Sequence, residues 1–166
     1  MYVRRVEALF LRQRALTLWQ EGQRLHLEGN LVQAIDCYGR SIAVFPTAEA
    51  YTFRGWAYSF QNRIQDAIAE CKKAIQIDPS FGNPYNDIGS YLMAQGKMTE
   101  AVRWLQKAKR APRYEPRHFP YVNLGRVFTA QGLVTKAIAE FESALRICPD
   151  DETIAGALAS LRRRVN

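Results

Sequence analysis

Apolar residues recur along this chain at helical spacing, and one arrangement of them returns four times. Glycine marks each return, at Gly22, Gly55, Gly89 and Gly125, with steps of 33, 34 and 36 residues. A large residue stands four positions before each glycine and another stands three positions after it. These three positions share one stripe of an α-helix, and the pattern therefore predicts four helices that each carry an apolar face.

A second stripe follows each glycine and predicts a partner helix. Alanine stands twelve residues after each glycine, at Ala34, Ala67, Ala101 and Ala137. Four positions after the alanines come, in order, Tyr38, Cys71, Leu105 and Phe141. Small residues on both stripes favour a tight antiparallel helix pair, because a glycine lets the partner helix approach closely.

Turn residues separate the two predicted helices of every unit. They are Gly29 with Asn30, then Asn62, Gly96 and Gly132. Proline closes three units, at Pro46, Pro79 and Pro149, and Pro112 arrives one residue early in the third.

The fourth unit resembles the tetratricopeptide repeat (TPR). It reads Tyr121-x2-Leu124-Gly125-x2-Phe128, then Ala137-x3-Phe141, then Pro149, beside the family pattern Trp-x2-Leu-Gly-x2-Tyr, Ala-x3-Phe, Pro. The first two units have Glu21 and Arg54 where the family has leucine, so we expect more polar interfaces there. The resemblance implies an all-α fold, a right-handed α-solenoid of antiparallel helix pairs.

The predicted organisation is a single domain with material at both ends of the repeats. Residues 1–14 form an N-terminal helical extension, and the four repeats occupy residues 15–149. Their approximate bounds are 15–47, 48–81, 82–117 and 118–150. Residues 151–166 form a C-terminal capping helix, whose apolar stripe consists of Ile154, Leu158, Leu161 and Val165.

The N-terminal extension runs into the first repeat without a breaker, which predicts one helix from about Tyr2 to about Glu28. Val3, Val6 and Phe10 form an apolar stripe beyond the first repeat's partner helix. A fold-back of this chain, a second copy of it, or an upstream repeat would each cover that stripe.

Composition narrows the setting of the molecule. The chain has 166 residues, of which 48% are hydrophobic and 23% charged, an ordinary globular composition. No apolar run approaches the ~18 residues of a membrane span, and charges interrupt residues 1–17, which argues against a secretory signal. Three unevenly spaced cysteines, Cys37, Cys71 and Cys148, are expected to be free thiols in a reducing, cytoplasmic compartment.

Function is expected on the side of the first helices that lies opposite the glycine stripe. In TPR proteins that side resembles the lining of a concave groove for an extended peptide or a partner helix. The predicted partner-binding residues are Trp19, Gln23, Phe53, Trp56, Phe60, Asn86, Asp87, Phe119, Asn123 and Arg126. The resulting hypothesis is a non-catalytic module that binds a protein or peptide.

The second repeat is apolar on both sides of its first helix, since Phe53, Trp56 and Phe60 lie opposite Tyr51 and Tyr58. The extra stripe is either a binding surface or is covered by the N-terminal segment. Further along, Asn86, Asn123 and Arg126 are expected to hold a partner's backbone or carboxylate.

The carboxylate clamp of TPR co-chaperones is not matched. Trp19 and Gln23 stand where the first repeat's lysine and asparagine would be. Asn83 and Asp87 stand where the third repeat's lysine and arginine would be. Binding of a heat-shock chaperone's acidic tail by those groups is therefore not expected.

Two further functions stay open as alternatives. The first is a homo-oligomeric scaffold that uses the N-terminal helix and the groove. The second is binding of nucleic acid or an anionic partner, since the net charge is +7 and Lys97 to Arg117 hold seven basic and two acidic residues. A solvated outer face explains this basic stretch better, because few aromatic residues are interleaved with its charges.

Enzymatic function is not expected. The two histidines, His26 and His118, have no cysteine or carboxylate at metal-ligand spacing in the sequence, and no nucleophile motif is present. The sequence predicts no cofactor and no metal.

Overall fold

The computed structural model describes the backbone of residues 2–164 and the side chains of residues 6–164. This part of the chain forms nine α-helices and no strand. The helices are α1 (Tyr2–Leu27), α2 (Leu31–Val44), α3 (Ala48–Phe60), α4 (Ile64–Ile77), α5 (Asn83–Ala94), α6 (Met98–Arg110), α7 (Phe119–Ala130), α8 (Val134–Ile147) and α9 (Glu152–Arg163).

The helices belong to two compact units, residues 1–84 and residues 85–166. In the first unit α1 packs on α2, α3 packs on α4, and α2 also contacts α3. In the second unit α7 packs on α8, which also contacts α9, and α6 contacts α7. Tight turns join the helices of each pair, so the partners run antiparallel.

The four glycines lie where two helices of a pair approach most closely. A Cβ added at Gly22 would be 2.6 Å from the Tyr38 ring, at Gly89 2.6 Å from Leu105, and at Gly125 2.8 Å from Phe141. At Gly55 it would be 3.0 Å from the Ala67 carbonyl oxygen and 3.6 Å from Cys71. The predicted close approach at every glycine is thus confirmed.

The predicted turns are also confirmed. Gly29, Asn62, Gly96 and Gly132 all have positive φ, at 82°, 59°, 74° and 71°. This left-handed conformation suits glycine and asparagine, and it reverses the chain between the two helices of a pair.

The expected polar interface is found in the second repeat but not in the first. Glu21 is exposed and pairs with Arg24 of its own helix at 2.6 Å, because its position on α1 points to solvent rather than towards α2. Arg54 reaches from α3 to the buried Glu70 of α4 at 2.7 Å, and Lys73 also pairs with Glu70 at 2.8 Å. Arg54 therefore replaces an apolar contact with an ion pair between two helices.

All three cysteines are thiols outside any disulfide, as predicted, with Cys37 and Cys71 buried and Cys148 half-buried. At the C-terminus, α9 packs on α8, and Ile154, Leu158 and Leu161 of α9 are buried. Val165, the last member of the predicted stripe, lies outside the described residues.

The N-terminal segment is continuous with the first repeat in the single helix α1, as predicted. Val6 and Phe10 are exposed on it, and Leu9 is exposed beside them. The side chain of Val3 lies outside the described residues.

Two glycine-to-alanine substitutions in the second unit should distinguish the effect of close packing on stability from the effect of helix propensity. We expect Gly125→Ala to lower the free energy of unfolding by about 1–3 kcal/mol, because its methyl group would overlap the buried Phe141 ring. Gly156→Ala in α9 is the matched control. Nothing lies within 4 Å of its added Cβ, so it should stabilise the protein by about 0.5–1 kcal/mol. Urea unfolding measures both, and a stabilising Gly125→Ala would contradict the packing argument.

Candidate partner-binding site

A row of aromatic side chains crosses α3 on the side away from α4. Trp56 is 37% exposed and Phe60 is 61% exposed, whereas Phe53 is half-buried. The ring centroids of Phe53 and Trp56 are 5.9 Å apart and those of Trp56 and Phe60 are 5.5 Å apart, both edge to face. We call Trp56 and Phe60, together with the supporting residues Phe53, Trp19 and His26, the aromatic surface.

Trp19 and Phe53 are half-buried members of the aromatic surface and link it to the core. The Trp19 and Phe53 rings meet edge to face at 5.2 Å, and both pack on the core formed by Ala34, Tyr38 and Ala57. These two predicted site residues are therefore partly core. Gln23, on α1, is half-buried and has no side-chain hydrogen bond to any described residue.

His26 belongs to the aromatic surface although it was not among the predicted binding residues. Only 7% of it is exposed, and its ring lies 4.2 Å from Trp56 and 5.4 Å from Phe60. Its Nδ1 lies 3.4 Å from the Tyr38 hydroxyl, while the buried Nε2 has no hydrogen-bond partner among the described residues. Burial lowers the pKa of His26, which favours the neutral ring. Its spacing of seven from Trp19 is the signal that could have identified it.

A cavity of about 380 Å³ adjoins the aromatic surface at Trp19. It lies between the middle of α1 and the start of α3. Leu9, Leu16 and Trp19 supply its apolar wall, and Arg12, Gln13 and Glu49 line its polar rim. The indole Nε1 of Trp19 is buried and has no hydrogen-bond partner within the described part of the chain.

Two of the four predicted polar residues of the second unit, Asn86 and Asn123, are buried. Asn123 donates from Nδ2 to Oδ1 of Asn86 at 3.0 Å, and both residues are buried. This hydrogen bond joins α5 to α7. It uses some of the donors and acceptors of the two asparagine side chains that were expected to bind a partner. Arg126 and Phe119 are exposed, and Phe119 packs against His118 at 4.4 Å.

The half-buried Asp87 and the buried Tyr114 interact electrostatically in the second unit. Burial raises the pKa of Asp87 to about 7, and a side-chain hydrogen bond with Asn86 acts in the opposite direction. Burial also raises the pKa of Tyr114, and the charge of Asp87 adds to that rise. Asp87 is therefore close to its titration point near neutral pH.

Potential metal ligands meet at one place that the sequence spacing did not reveal. His118, Cys148 and Asp151 bring one ligand atom each within 4.8 Å of one another. Cys148 and Asp151 are close in the chain, but His118 precedes α7 and lies far from both in sequence, so spacing along the chain did not associate the histidine with them.

Models of the tetratricopeptide repeat match residues 48–81, 85–111 and 121–152. These ranges cover the second, third and fourth units of the glycine and alanine recurrence and their helix pairs. The chain belongs to the tetratricopeptide repeat family. TPR domains are generally non-catalytic modules of protein interaction.

Curated and solved relatives agree with this assignment. Small glutamine-rich tetratricopeptide repeat-containing protein 2 of Mycosarcoma maydis is 34% identical over 95 residues, which are 52% of this chain and 27% of that protein. This TPR chain thus spans about a quarter of that relative's length. The structure of pilF from Pseudomonas aeruginosa superposes with a TM-score of 0.86 at 24% identity, over 92% of this chain and 70% of the other. This likeness confirms the α-solenoid fold class.

A third relative was solved with a ligand. The second TPR of Spaghetti (RPAP3), bound to the HSP90 peptide SRMEEVD, has a TM-score of 0.58 and 27% identity. The match covers 63% of this chain and 98% of the other.

The basic stretch of this TPR protein is partly engaged in contacts of its own. Lys109 pairs with Glu140 at 2.9 Å, Lys107 lies 4.6 Å from the Trp104 ring, and Arg117 donates to the Pro112 carbonyl at 2.6 Å. Tyr114, which the sequence places among these charges, is buried. In addition, none of the helices in the described residues is both long and apolar enough to cross a membrane.

Replacement of Asp87 tests the titration of its side chain. The folded-state pKa is raised above the ordinary value, so Asp87 stabilises the fold when protonated and that stability is lost as the pH rises towards about 7. We expect Asp87→Asn to stabilise the protein more at pH 8 than at pH 5, by over about 1.4 kcal/mol, which one pKa unit contributes. Urea unfolding of both proteins at the two pH values measures it. An equal effect at pH 5 and pH 8 would show that Asp87 titrates normally.

Proposed function

We propose that this chain is a protein-interaction module that binds an apolar segment of a partner on the aromatic surface. Trp56 and Phe60 contact the partner directly, and Phe53, Trp19 and His26 hold them in place. The carrying observation is that two large aromatic side chains stay exposed on a helix whose other side is already packed in the core.

The exposed rings offer area that a partner can cover. An aromatic side chain buries about 150–250 Å² when fully covered, and Trp56 and Phe60 retain much of this area in the free chain. Clusters of exposed aromatic residues are the usual anchors of recognition surfaces. Covering both rings would therefore supply most of the binding free energy.

The aromatic surface is already ordered before a partner arrives. Trp56 is held between Phe53, Phe60 and His26 at centroid distances from 4.2 to 5.9 Å. Side chains fixed in this way lose little rotamer freedom on binding, so less of the contact energy is lost to ordering.

Apolar and neutral chemistry at the site favours an apolar segment over an acidic tail. The lowered pKa of His26 keeps its ring neutral, and Trp19 and Gln23 occupy positions that carry clamp residues in TPR co-chaperones. The RPAP3 TPR binds an acidic HSP90 peptide. This likeness supports peptide binding as the general function of this chain.

Loss of the central ring, Trp56, should weaken partner binding. We expect Trp56→Ala to weaken binding by about 2 kcal/mol or more, which is roughly thirtyfold, because it removes a ring that anchors the surface. Affinity capture with mass spectrometry compares the full chain with this variant, and titration calorimetry then measures the affinity of a captured partner.

One control and one further test variant accompany that experiment. Trp104→Ala removes a tryptophan of α6 in the second unit, and it should retain every partner of the aromatic surface. Phe60→Ser alters a ring that is already 61% exposed, so it should weaken binding without loss of fold. Retention of all partners by both Trp56→Ala and Phe60→Ser would refute the proposal.

A second candidate function is self-association through the N-terminal half of α1. Leu9 and Phe10 are exposed there at 61% and 68%, beside the cavity whose wall includes Leu9 and Leu16. A second copy of the chain would cover this face in an isologous contact. The exposed apolar side chains of α1 do not favour binding of nucleic acid, which would require a basic surface.

Light scattering of the full chain tests self-association. If α1 forms the contact, the parent should have the mass of a dimer and Phe10→Ser should have the mass of a monomer, because a hydroxyl replaces the most exposed ring. Trp56→Ala is the control and should keep the parent's mass. A monomeric parent at concentrations of about 100 μM would exclude this function.

A further inference from the structure

A histidine, a cysteine and an aspartate meet in the second unit with no role in the proposed partner binding. His118, Cys148 and Asp151 place their ligand atoms within 4.8 Å of one another, and all three are half-buried. We call these three residues the ligand cluster.

The backbone fixes the positions of all three residues, because each one lies at a helix end. His118 precedes α7, Cys148 follows α8, and Asp151 precedes α9. The Cys148 N–H donates to the Ala144 carbonyl at 2.9 Å, and the His118 carbonyl accepts from the Tyr121 N–H at 3.1 Å. The cluster thus does not depend on a loop whose conformation is free to vary.

The side chains of the cluster have unused ligand atoms. Asp151 accepts the Ile154 N–H through Oδ1 at 3.0 Å, which orients the carboxylate and leaves Oδ2 available. The His118 ring packs on Phe119, and its nitrogens have no hydrogen-bond partner among the described residues. Cys148 is a free thiol.

We propose that the ligand cluster binds a single zinc ion. Thiolate, imidazole and carboxylate are the three ligand types of zinc in proteins, at about 2.3, 2.0–2.1 and 2.0–2.2 Å from the metal. Ligand atoms of a tetrahedral zinc lie about 3.3–3.8 Å apart by these bond lengths, so small side-chain rotations bring the three atoms into place. A water molecule occupies the fourth position.

Softness of the ligands selects zinc over calcium and magnesium. The latter two prefer sets made of oxygen ligands alone, whereas two of the three ligands here are sulfur and nitrogen. Binding converts the Cys148 thiol to a thiolate and releases its proton to the solvent. The bound ion then joins the start of α7, the end of α8 and the start of α9, so zinc should stabilise this part of the fold.

Metal titration of the untagged, reduced full chain tests the site. We expect calorimetry with zinc chloride to show one ion per chain, with an affinity that falls at least tenfold in His118→Ala and in Cys148→Ser. Asp151→Asn should also weaken binding, while its amide oxygen still caps α9. Cobalt(II) should give the absorption of a tetrahedral site together with a thiolate-to-metal charge-transfer band, which Cys148→Ser removes.

Two control variants separate this site from general metal binding. Asp150→Asn removes a neighbouring exposed carboxylate, and Cys37→Ala removes a thiol in the other unit, so both should bind zinc as the parent does. Zinc should raise the unfolding temperature of the parent and of these controls, but not that of Cys148→Ser. Circular dichroism of each variant establishes that it is folded.

The proposal is overturned by any of three results. The first is absence of zinc binding by the reduced parent. The second is an affinity unchanged in both His118→Ala and Cys148→Ser when these are folded. The third is a cobalt spectrum without a thiolate band.

Discussion

The close approach of two helices at a glycine is the constraint on which this structure depends. In each helix pair the glycine of the first helix faces a residue of the second, at Tyr38, Cys71, Leu105 or Phe141. An added Cβ would lie 2.6 to 2.8 Å from the facing side chain at Gly22, Gly89 and Gly125, and 3.0 Å from the Ala67 carbonyl oxygen at Gly55, so a side chain at any of these positions would require its neighbour to shift. Because the same contact sets the separation of the helices in every pair, the recurrence in the sequence becomes a recurrence of helix pairs.

That constraint also explains why the opposite side of α3 is free to vary. Gly55 holds α3 against α4, and the ion pair of Arg54 with Glu70 adds a polar contact between the same helices. Trp56 and Phe60, on the other side, take no part in the contact between α3 and α4 and lie against His26 of α1 instead. Aromatic side chains there, Trp56 and Phe60, can therefore serve recognition without loss of the fold.

The candidate site was predicted in part, and the failures have physical causes. The exposed aromatic pair on α3 was found because helical periodicity places residues on faces. The burial of Asn86 and Asn123 could not be predicted, because the hydrogen bond between them joins two helices from different repeats. His26 was not among the predicted binding residues, since periodicity does not tell how deeply the rings of Trp56 and Phe60 cover it.

The sequence by itself determined the repeat, its helices, its turns and the close contacts at glycine. These follow from local spacing, in which backbone geometry relates neighbouring residues to one face of a helix. Only the tertiary structure decided which polar groups are buried and which distant side chains meet. The raised pKa of Asp87 arises from its burial, and His118, Cys148 and Asp151 meet because the ends of three helices lie together. Spacing along the chain carries no record of such contacts, because they depend on how far each helix extends and how its neighbours pack.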